Sequence, residues 1–171
     1  MPRYIRNWLN GLHLLILGVA VFAVLPHVVM AQAVSAADQA ALAGPWNGVW
    51  TASNFRYEAT MALNAGTNGD INGSINWTLR ASPRATDANK IGMKGVEYVR
   101  GKYYPDSGTL VFEGYRKDDP NAIIGLDMYR LVISPTHNSL GGITWHHGPW
   151  TGEFFLTRRV ASPASALLLP T

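Results

Sequence analysis

Residues 70–80 have the sequence DINGSINWTLR, and this stretch decides the fold class. In an extended chain Ile71, Ile75 and Trp77 share one face with Gly73 and Leu79, whereas Asn, Ser and Thr occupy the other face. Successive side chains of a strand point to opposite sides, so this division is typical of an antiparallel strand with one buried face. Residues 56–64 alternate in the same way. The five residues between the two strands, AGTNG, have the composition of a hairpin turn.

The rest of the chain after residue 44 continues this pattern. Further strand-like segments are residues 46–53, 93–104, 108–117, 124–134, 139–147 and 150–160. Most connectors are short and contain Pro, Gly, Asn or Asp, the residues that turns require. Eight successive strands without a crossover helix form a meander, and closing the meander removes its exposed edges. The sequence therefore predicts an all-β fold, an eight-stranded antiparallel up-and-down barrel, with a two-sheet sandwich as the alternative.

The N-terminus has the features of a signal peptide. Arg3 and Arg6 precede an apolar run over residues 12–25, and Ala31-Gln32-Ala33 is an A-x-A cleavage pattern. The unbroken apolar run is short for a membrane span of ~20 residues, although an uncleaved anchor is the alternative. We expect residues 1–33 to be removed and the mature protein to be periplasmic or extracellular, without stable membrane insertion.

The mature chain divides into three predicted parts. Residues 34–43 form a short helix or a linker, residues 44–160 form the barrel, and residues 161–171 form a flexible tail. The leader takes two of the 14 basic residues and none of the 11 acidic ones. The remaining 12 basic residues give a net charge of +1 and form no basic patch with interleaved aromatic residues, so a nucleic-acid partner is not expected. The chain has no cysteine, which excludes disulfides, thiolate metal sites and cysteine nucleophiles.

The start of the first strand carries a family resemblance. Gly44-Pro45-Trp46 is a G-x-W sequence, and at this position it resembles the calycin superfamily, which includes lipocalins and avidin-like proteins. In lipocalins this Trp plugs the closed end of the barrel, and an Arg near the end of the last strand packs across its ring. The resemblance therefore implies a structural closure by Trp46 and Arg158 through a cation–π contact.

The last strand is similar to that of avidin. Residues 152–158, GEFFLTR, follow the avidin pattern, and Trp145 stands roughly where avidins carry a ligand-contacting Trp. The tail carries two prolines and leaves no room for a C-terminal helix of the lipocalin type. Biotin is not expected as the ligand, because the biotin-bonding Asp or Asn of the last avidin strand falls at Phe154.

Charged residues interrupt two otherwise apolar strands. Glu97 and Arg100 fall on opposite faces of one strand, and Asp127 and Arg130 fall on opposite faces of another. At least one of these charges is expected to point into the barrel, either in an internal ion pair or as an anchor for a ligand. An inward Arg would favour an anionic, carboxylate-bearing ligand. The candidate ligand-binding residues are Trp50, Trp77, Tyr98, Arg100, Asp127, Arg130 and Trp145.

No metal site, cofactor or catalytic residue is predicted. His146 and His147 are adjacent on a strand, so their side chains point to opposite faces and cannot easily share an ion with His137. Asp118 and Asp119 could bind calcium together with Asp106, but Asp118 and Asp119 directly precede a proline and an asparagine, a pattern more typical of a turn. The sequence contains no G-x-S-x-G or H-E-x-x-H motif.

Together these features predict an exported barrel that binds a small, partly apolar ligand in its mouth. A protein-interaction or inhibitor-type barrel with a filled core is the alternative, and a barrel enzyme is the third hypothesis. An open, lined cavity would favour ligand binding, whereas two converging titratable groups in the cavity would favour catalysis. Apolar residues on the outer barrel face favour a homo-oligomer or docking onto a partner.

Overall fold

Eight antiparallel strands follow one another around a closed barrel within the part of the chain that the structure describes, residues 33–146 and 151–158. In this computed structural model the strands are β1 (Gly44–Ala52), β2 (Phe55–Ala65), β3 (Asp70–Ala81), β4 (Lys94–Tyr104), β5 (Thr109–Asp118), β6 (Met128–Ile133), β7 (Ser139–Trp145) and β8 (Thr151–Thr157). Each strand pairs with its neighbours in sequence, and β1 pairs with β8 to close the barrel. The predicted fold class is therefore confirmed, and the sandwich alternative is wrong.

Of the two alternatives for residues 34–43, the structure has the helix, α1 (Ala36–Leu42). The hydroxyl of Ser35 caps it by accepting a hydrogen bond from the Asp38 backbone N–H at 3.0 Å. Leu42 is fully buried and belongs to the barrel core. No helix of the described residues is long and apolar enough to cross a membrane. The predicted leader, apart from Ala33, and the predicted tail lie outside the described residues.

Alternation along the strands places the core inside the barrel. On β3 the side chains of Ile71, Ile75 and Trp77 are at most 5% exposed, whereas the intervening Asn72 and Asn76 are exposed. The same rule holds on β2, where alternate residues are buried. Each fully buried large apolar side chain contributes about 1.5–3 kcal/mol relative to an exposed one, so the inner face stabilises the closed barrel.

Close approach of neighbouring strands requires glycine at two positions of the barrel wall. A Cβ atom on Gly48 of β1 would overlap the carbonyl oxygen of Phe155 on β8. A Cβ atom on Gly142 of β7 would overlap the carbonyl oxygen of Arg130 on β6. Mid-strand glycines such as Gly48 and Gly142 thus allow the sheet to coil tightly enough to close.

One end of the barrel is closed by Trp46. Its side chain is fully buried, and its indole Nε1 donates a hydrogen bond to the Leu42 carbonyl oxygen at 3.0 Å. The guanidinium carbon of Arg158 lies 5.1 Å from the Trp46 ring centroid. The same guanidinium donates to the carbonyl oxygens of Ala40 and Ala43 at 3.4 and 3.5 Å. The cation–π contact implied by the resemblance is therefore present, and the hydrogen bonds of the same guanidinium connect the C-terminal end of α1 to the end of the barrel.

Candidate ligand-binding cavity

A cavity of about 330 Å³ occupies the barrel end opposite α1. It is lined by Trp50, Phe55, Tyr57, Trp77, Arg84, Glu97, Ala122, Ile123, Ile124, Gly125, Asp127, Tyr129 and His146. Several of these residues are exposed at the rim, so the cavity opens to solvent there. Its volume and its mixture of aromatic walls with a few polar groups are those of a small-molecule site.

Three aromatic rings form the wall of the cavity. Tyr57 packs edge-on against Trp50 and Trp77, with ring centroids 5.5 and 6.0 Å apart. The Nε1 atom of Trp50 donates a hydrogen bond to the Thr144 hydroxyl at 2.6 Å. Gly152 of β8 leaves room for the Trp50 indole, since a Cβ atom there would overlap the ring. These contacts fix the wall before any ligand arrives.

Glu97 lies at the base of the cavity in a cradle of hydrogen-bond donors. One carboxylate oxygen, Oε2, accepts from Trp77 Nε1 at 3.0 Å and from the Tyr129 hydroxyl at 2.5 Å. The other oxygen, Oε1, accepts from the Asp127 backbone N–H at 3.2 Å. Gly114 of β5 makes the space for this carboxylate, because a Cβ atom there would overlap Oε1.

Burial dominates the titration of Glu97. The side chain is 1% exposed, and burial raises the pKa of its carboxyl from 4.5 to about 7. The donors from Tyr129, Asp127 and Trp77 act in the opposite direction but do not cancel the effect. No ion pair with Glu97 is found among the described residues, so neutral donors carry the whole compensation.

Asp127 presents the accessible carboxylate of the cavity. Its backbone is held on both sides, because the N–H donates to Glu97 and the carbonyl oxygen accepts from the Gly114 N–H at 2.8 Å. Its carboxylate accepts no hydrogen bond from the described residues. Burial raises the pKa of Asp127, and the nearby His146 acts in the opposite direction. Asp127 therefore offers acceptor oxygens to whatever enters the cavity.

The segment from residue 119 to residue 127 forms part of the rim and corrects the predicted sixth strand. That strand was expected over residues 124–134, but β6 begins at Met128. The Asp119 carboxylate accepts from the backbone N–H groups of Ile123 and Ile124, both at 2.9 Å, and these bonds to residues four and five positions further on close the turn. The Tyr57 hydroxyl donates to the Ile123 carbonyl oxygen at 2.5 Å and draws the turn over the barrel end.

Of the seven candidate ligand-binding residues, Trp50, Trp77 and Asp127 line the cavity. Arg100 does not, because β4 turns Glu97 and Val99 inward and leaves Arg100 on the outer face. Arg100 there pairs with Glu113 at 2.9 Å and is 63% exposed. The structure therefore contradicts the expectation of an inward Arg100.

Three other candidates also lie outside the cavity, for the same reason of strand alternation. Arg130 is exposed between two buried neighbours on β6, so it does not face inward either. Tyr98 is on the outer side of β4, where the guanidinium carbon of Arg116 lies 3.7 Å from its ring centroid. Trp145 follows the buried Thr144 on β7 and is directed away from the interior.

Sequence reasoning missed the donor cradle around Glu97 and most of the rim. Glu97 is one of the four charged residues that the sequence allows in the interior, where an internal ion pair or a ligand anchor is expected. In the structure Glu97 instead accepts hydrogen bonds from neutral donors. The inward side of Tyr57 follows from the alternation of residues 56–64, so this wall residue could have been named. The rim segment could not, because its position depends on the Asp119 turn.

The histidines and aspartates considered for metals are spread over the molecule. His146 lines the cavity, His137 lies in the β6–β7 turn at the other end, and His147 is outside the described residues. Asp106 is in the β4–β5 turn, far along the barrel from Asp119. Within the described residues no group of three His, Cys, Asp or Glu side chains could hold a metal ion.

Chemically, the cavity combines aromatic surface, one accessible carboxylate and one sequestered carboxyl group. The sequestered group, Glu97, fixes the positions of Trp77, Tyr129 and Asp127 through its hydrogen bonds. The arrangement can therefore hold a partly apolar molecule in one orientation. Comparisons of the chain with models of protein families, with curated proteins and with solved structures found no match.

Proposed function

We propose that this protein binds a small, partly apolar ligand in the open end of its barrel. The observation that carries the proposal is the cavity of about 330 Å³, walled by Trp50, Tyr57 and Trp77 and containing the accessible carboxylate of Asp127. A protein-interaction module with a filled core has no need of such a space. The preformed wall also reduces the ordering cost of binding, which favours affinity for small molecules.

The calycin-like plan is part of the same proposal. It is supported by the up-and-down topology, by the G-x-W at residues 44–46 and by the contact between Trp46 and Arg158 at the closed end. In that plan one end is structural and the other receives the ligand. The cavity lies at the end opposite Trp46, which agrees with this arrangement of a structural end and a ligand-binding end.

The accessibility and the hydrogen bonds of the two carboxyl groups in the cavity, those of Glu97 and Asp127, favour binding over catalysis. A general acid or base has to reach the reacting atom within hydrogen-bond distance. Both oxygens of Glu97 already accept hydrogen bonds, and the side chain is 1% exposed. Of the two carboxyl groups that line the space, only that of Asp127 is accessible, and the basic side chain that acts on it, His146, lies at the exposed rim. This arrangement supports an anchor for a ligand more than an acid–base pair.

Export to the periplasm or the cell exterior also belongs to the proposal. It is supported by the sequence of residues 1–33, with its basic start, apolar run and A-x-A pattern. A binding barrel released from its leader would meet its ligand outside the cytoplasm.

A pair of glycine substitutions tests the proposed function. The neutral apolar fluorophore N-phenyl-1-naphthylamine should bind saturably, with one site per chain, and its emission should rise. Gly125→Phe should weaken this binding at least about tenfold, about 1.4 kcal/mol, because the new ring occupies the cavity. A Cβ atom on Gly125 meets only the Asp127 carboxylate, at an ordinary contact distance of 3.6 Å, so the first atom of the new side chain fits without a clash.

The matched control is Gly141→Phe on the outer face of β7, where the Cβ atom would meet the Phe155 ring at 3.4 Å. This variant should bind the fluorophore as the unmodified protein does. Absence of saturable binding to the unmodified protein, or equal weakening by both substitutions, would refute the proposed function.

A further inference from the structure

The side-chain donors of the cavity wall are already committed within the protein. Four Trp and Tyr side chains contribute these donors, and each has a protein acceptor within 3.0 Å. The pairs are Trp50 to Thr144, Tyr57 to Ile123, Trp77 to Glu97 and Tyr129 to Glu97. A tryptophan N–H has a single hydrogen to donate, and so does a tyrosine hydroxyl. These four side chains thus contribute aromatic surface to the cavity but no further donor hydrogen.

The backbone donors of the rim are committed in a similar way. The N–H groups of Ile123 and Ile124 bind the Asp119 carboxylate, and that of Ala122 binds the Asp119 carbonyl oxygen. The Asp127 N–H binds Glu97. A ligand that must accept several hydrogen bonds therefore finds few partners along this part of the wall.

Unlike these donors, one hydrogen-bond acceptor of the cavity is available to a ligand, because the Asp127 carboxylate accepts no hydrogen bond from the described residues. A partly buried carboxylate is most strongly compensated by a cationic donor. The aromatic rings that line the same cavity attract the same kind of charge, since a cation is stabilised over the face of a Trp or Tyr ring. Two independent features of the cavity thus select for positive charge on the ligand.

The basic side chains of the cavity lie at its rim. Arg84 is exposed, and its guanidinium carbon lies 5.1 Å from the Phe55 ring centroid. His146 is exposed as well, and its charge favours the ionised form of Asp127. Both residues have interactions of their own. The expected inward anchors for an anion, Arg100 and Arg130, lie on the outer face.

We propose that the ligand is an organic cation, a protonated amine on an apolar body, whose ammonium group contacts Asp127 while the body lies against Trp50, Tyr57 and Trp77. This inference rests on the proposed function, because it names the ligand class for the same cavity. It replaces the anionic ligand that the sequence favoured.

A matched series of small ligands tests the inference. 2-Phenylethylamine, 2-phenylethanol and 3-phenylpropionate share a phenyl ring and differ in carrying a cation, a neutral hydroxyl or an anion. Each competes with N-phenyl-1-naphthylamine at neutral pH, and the displacement gives its affinity. The amine should bind at least about tenfold more tightly than the alcohol, as expected for a hydrogen bond to a charged group, and the carboxylate should bind most weakly.

Asp127→Asn identifies the anchor. The amide keeps the shape of the side chain but not its charge, so the advantage of the amine over the alcohol should shrink to about the level of experimental error. The control is Asp106→Asn, which removes the same charge from an exposed turn at the opposite end of the barrel. This control should leave the advantage of the amine unchanged.

The outcomes separate the two proposals. If the fluorophore does not bind, the proposed function fails. If the fluorophore binds but the amine is no better than the alcohol, or the carboxylate binds best, the cationic ligand is overturned while ligand binding stands. If Asp127→Asn does not fold, the ranking of the three ligands on the unmodified protein still decides.

Discussion

Glu97→Gln should change the way in which the free energy of unfolding depends on pH. Burial raises the pKa of Glu97 from 4.5 in the unfolded chain to about 7 in the folded protein. Between these two values the folded chain holds more protons than the unfolded chain, so stability falls as pH rises. At 1.36 kcal/mol per pKa unit, this corresponds to about 3 kcal/mol. That stability is fully present below pH 4.5 and is lost as pH rises through about 7.

The glutamine variant does not titrate, so it lacks this pH-dependent contribution. Its amide cannot accept hydrogen bonds on both sides as the carboxylate does. The NH₂ group will face either the Asp127 N–H or the donors of Trp77 and Tyr129, at a cost of about 1–3 kcal/mol. This cost is the same at every pH, because none of those donors titrates in the window. The two contributions can therefore be separated by pH alone.

Urea titrations followed by tryptophan fluorescence measure both proteins across the window. The stability of the unmodified protein minus that of the variant should fall by about 3 kcal/mol from the acidic to the alkaline side. Glu153→Gln on the exposed outer face of β8 is the matched control and should give a nearly constant difference. A constant difference for Glu97→Gln as well would refute the reasoning, since Glu97 would then be ionised equally easily in both states.

Two further predictions concern the closed end and export. Trp46→Ala should lower the free energy of unfolding by about 3–5 kcal/mol as a core truncation, and Arg158→Ala should lower it by less. In denaturant titrations the double variant should lose less than the sum of the two single losses, because the side chains share a contact. Strictly additive losses would contradict that contact. N-terminal sequencing of the exported protein should begin at Val34, whereas recovery of the intact chain in the membrane fraction would contradict cleavage.

The barrel could be predicted from the sequence because alternation is a property of each strand by itself. Ile71, Ile75 and Trp77 had to share a face in any register, and the structure buries all three. Short turns between successive strands then left few topologies. The closed end was predictable for a different reason, since the resemblance supplied the pairing of Trp46 with Arg158, and their contact is present.

The cavity was harder to predict because the informative strands are apolar on both faces. On β4 the pattern allows either Glu97 or Arg100 to face inward, and only the neighbouring strands decide. Gly114 settles the choice, because it leaves space opposite Glu97 that a side chain would fill. The register shift of β4 against β5 occurs beside it, between Tyr98 and Val99. Such a match between a glycine on one strand and a carboxylate on the next is not visible in either strand alone.

The cost of burying Glu97 explains how the site is organised. An apolar residue at this position would avoid the loss of about 3 kcal/mol above neutral pH. It would also leave the Trp77 N–H, the Tyr129 hydroxyl and the Asp127 N–H without their acceptor, and each unsatisfied buried donor costs about 1–3 kcal/mol. The three donors together outweigh the single charge. One buried carboxylate therefore orients Trp77, Tyr129 and the backbone of Asp127, the proposed ligand anchor. Replacing this carboxylate by an apolar side chain would cost more than retaining it.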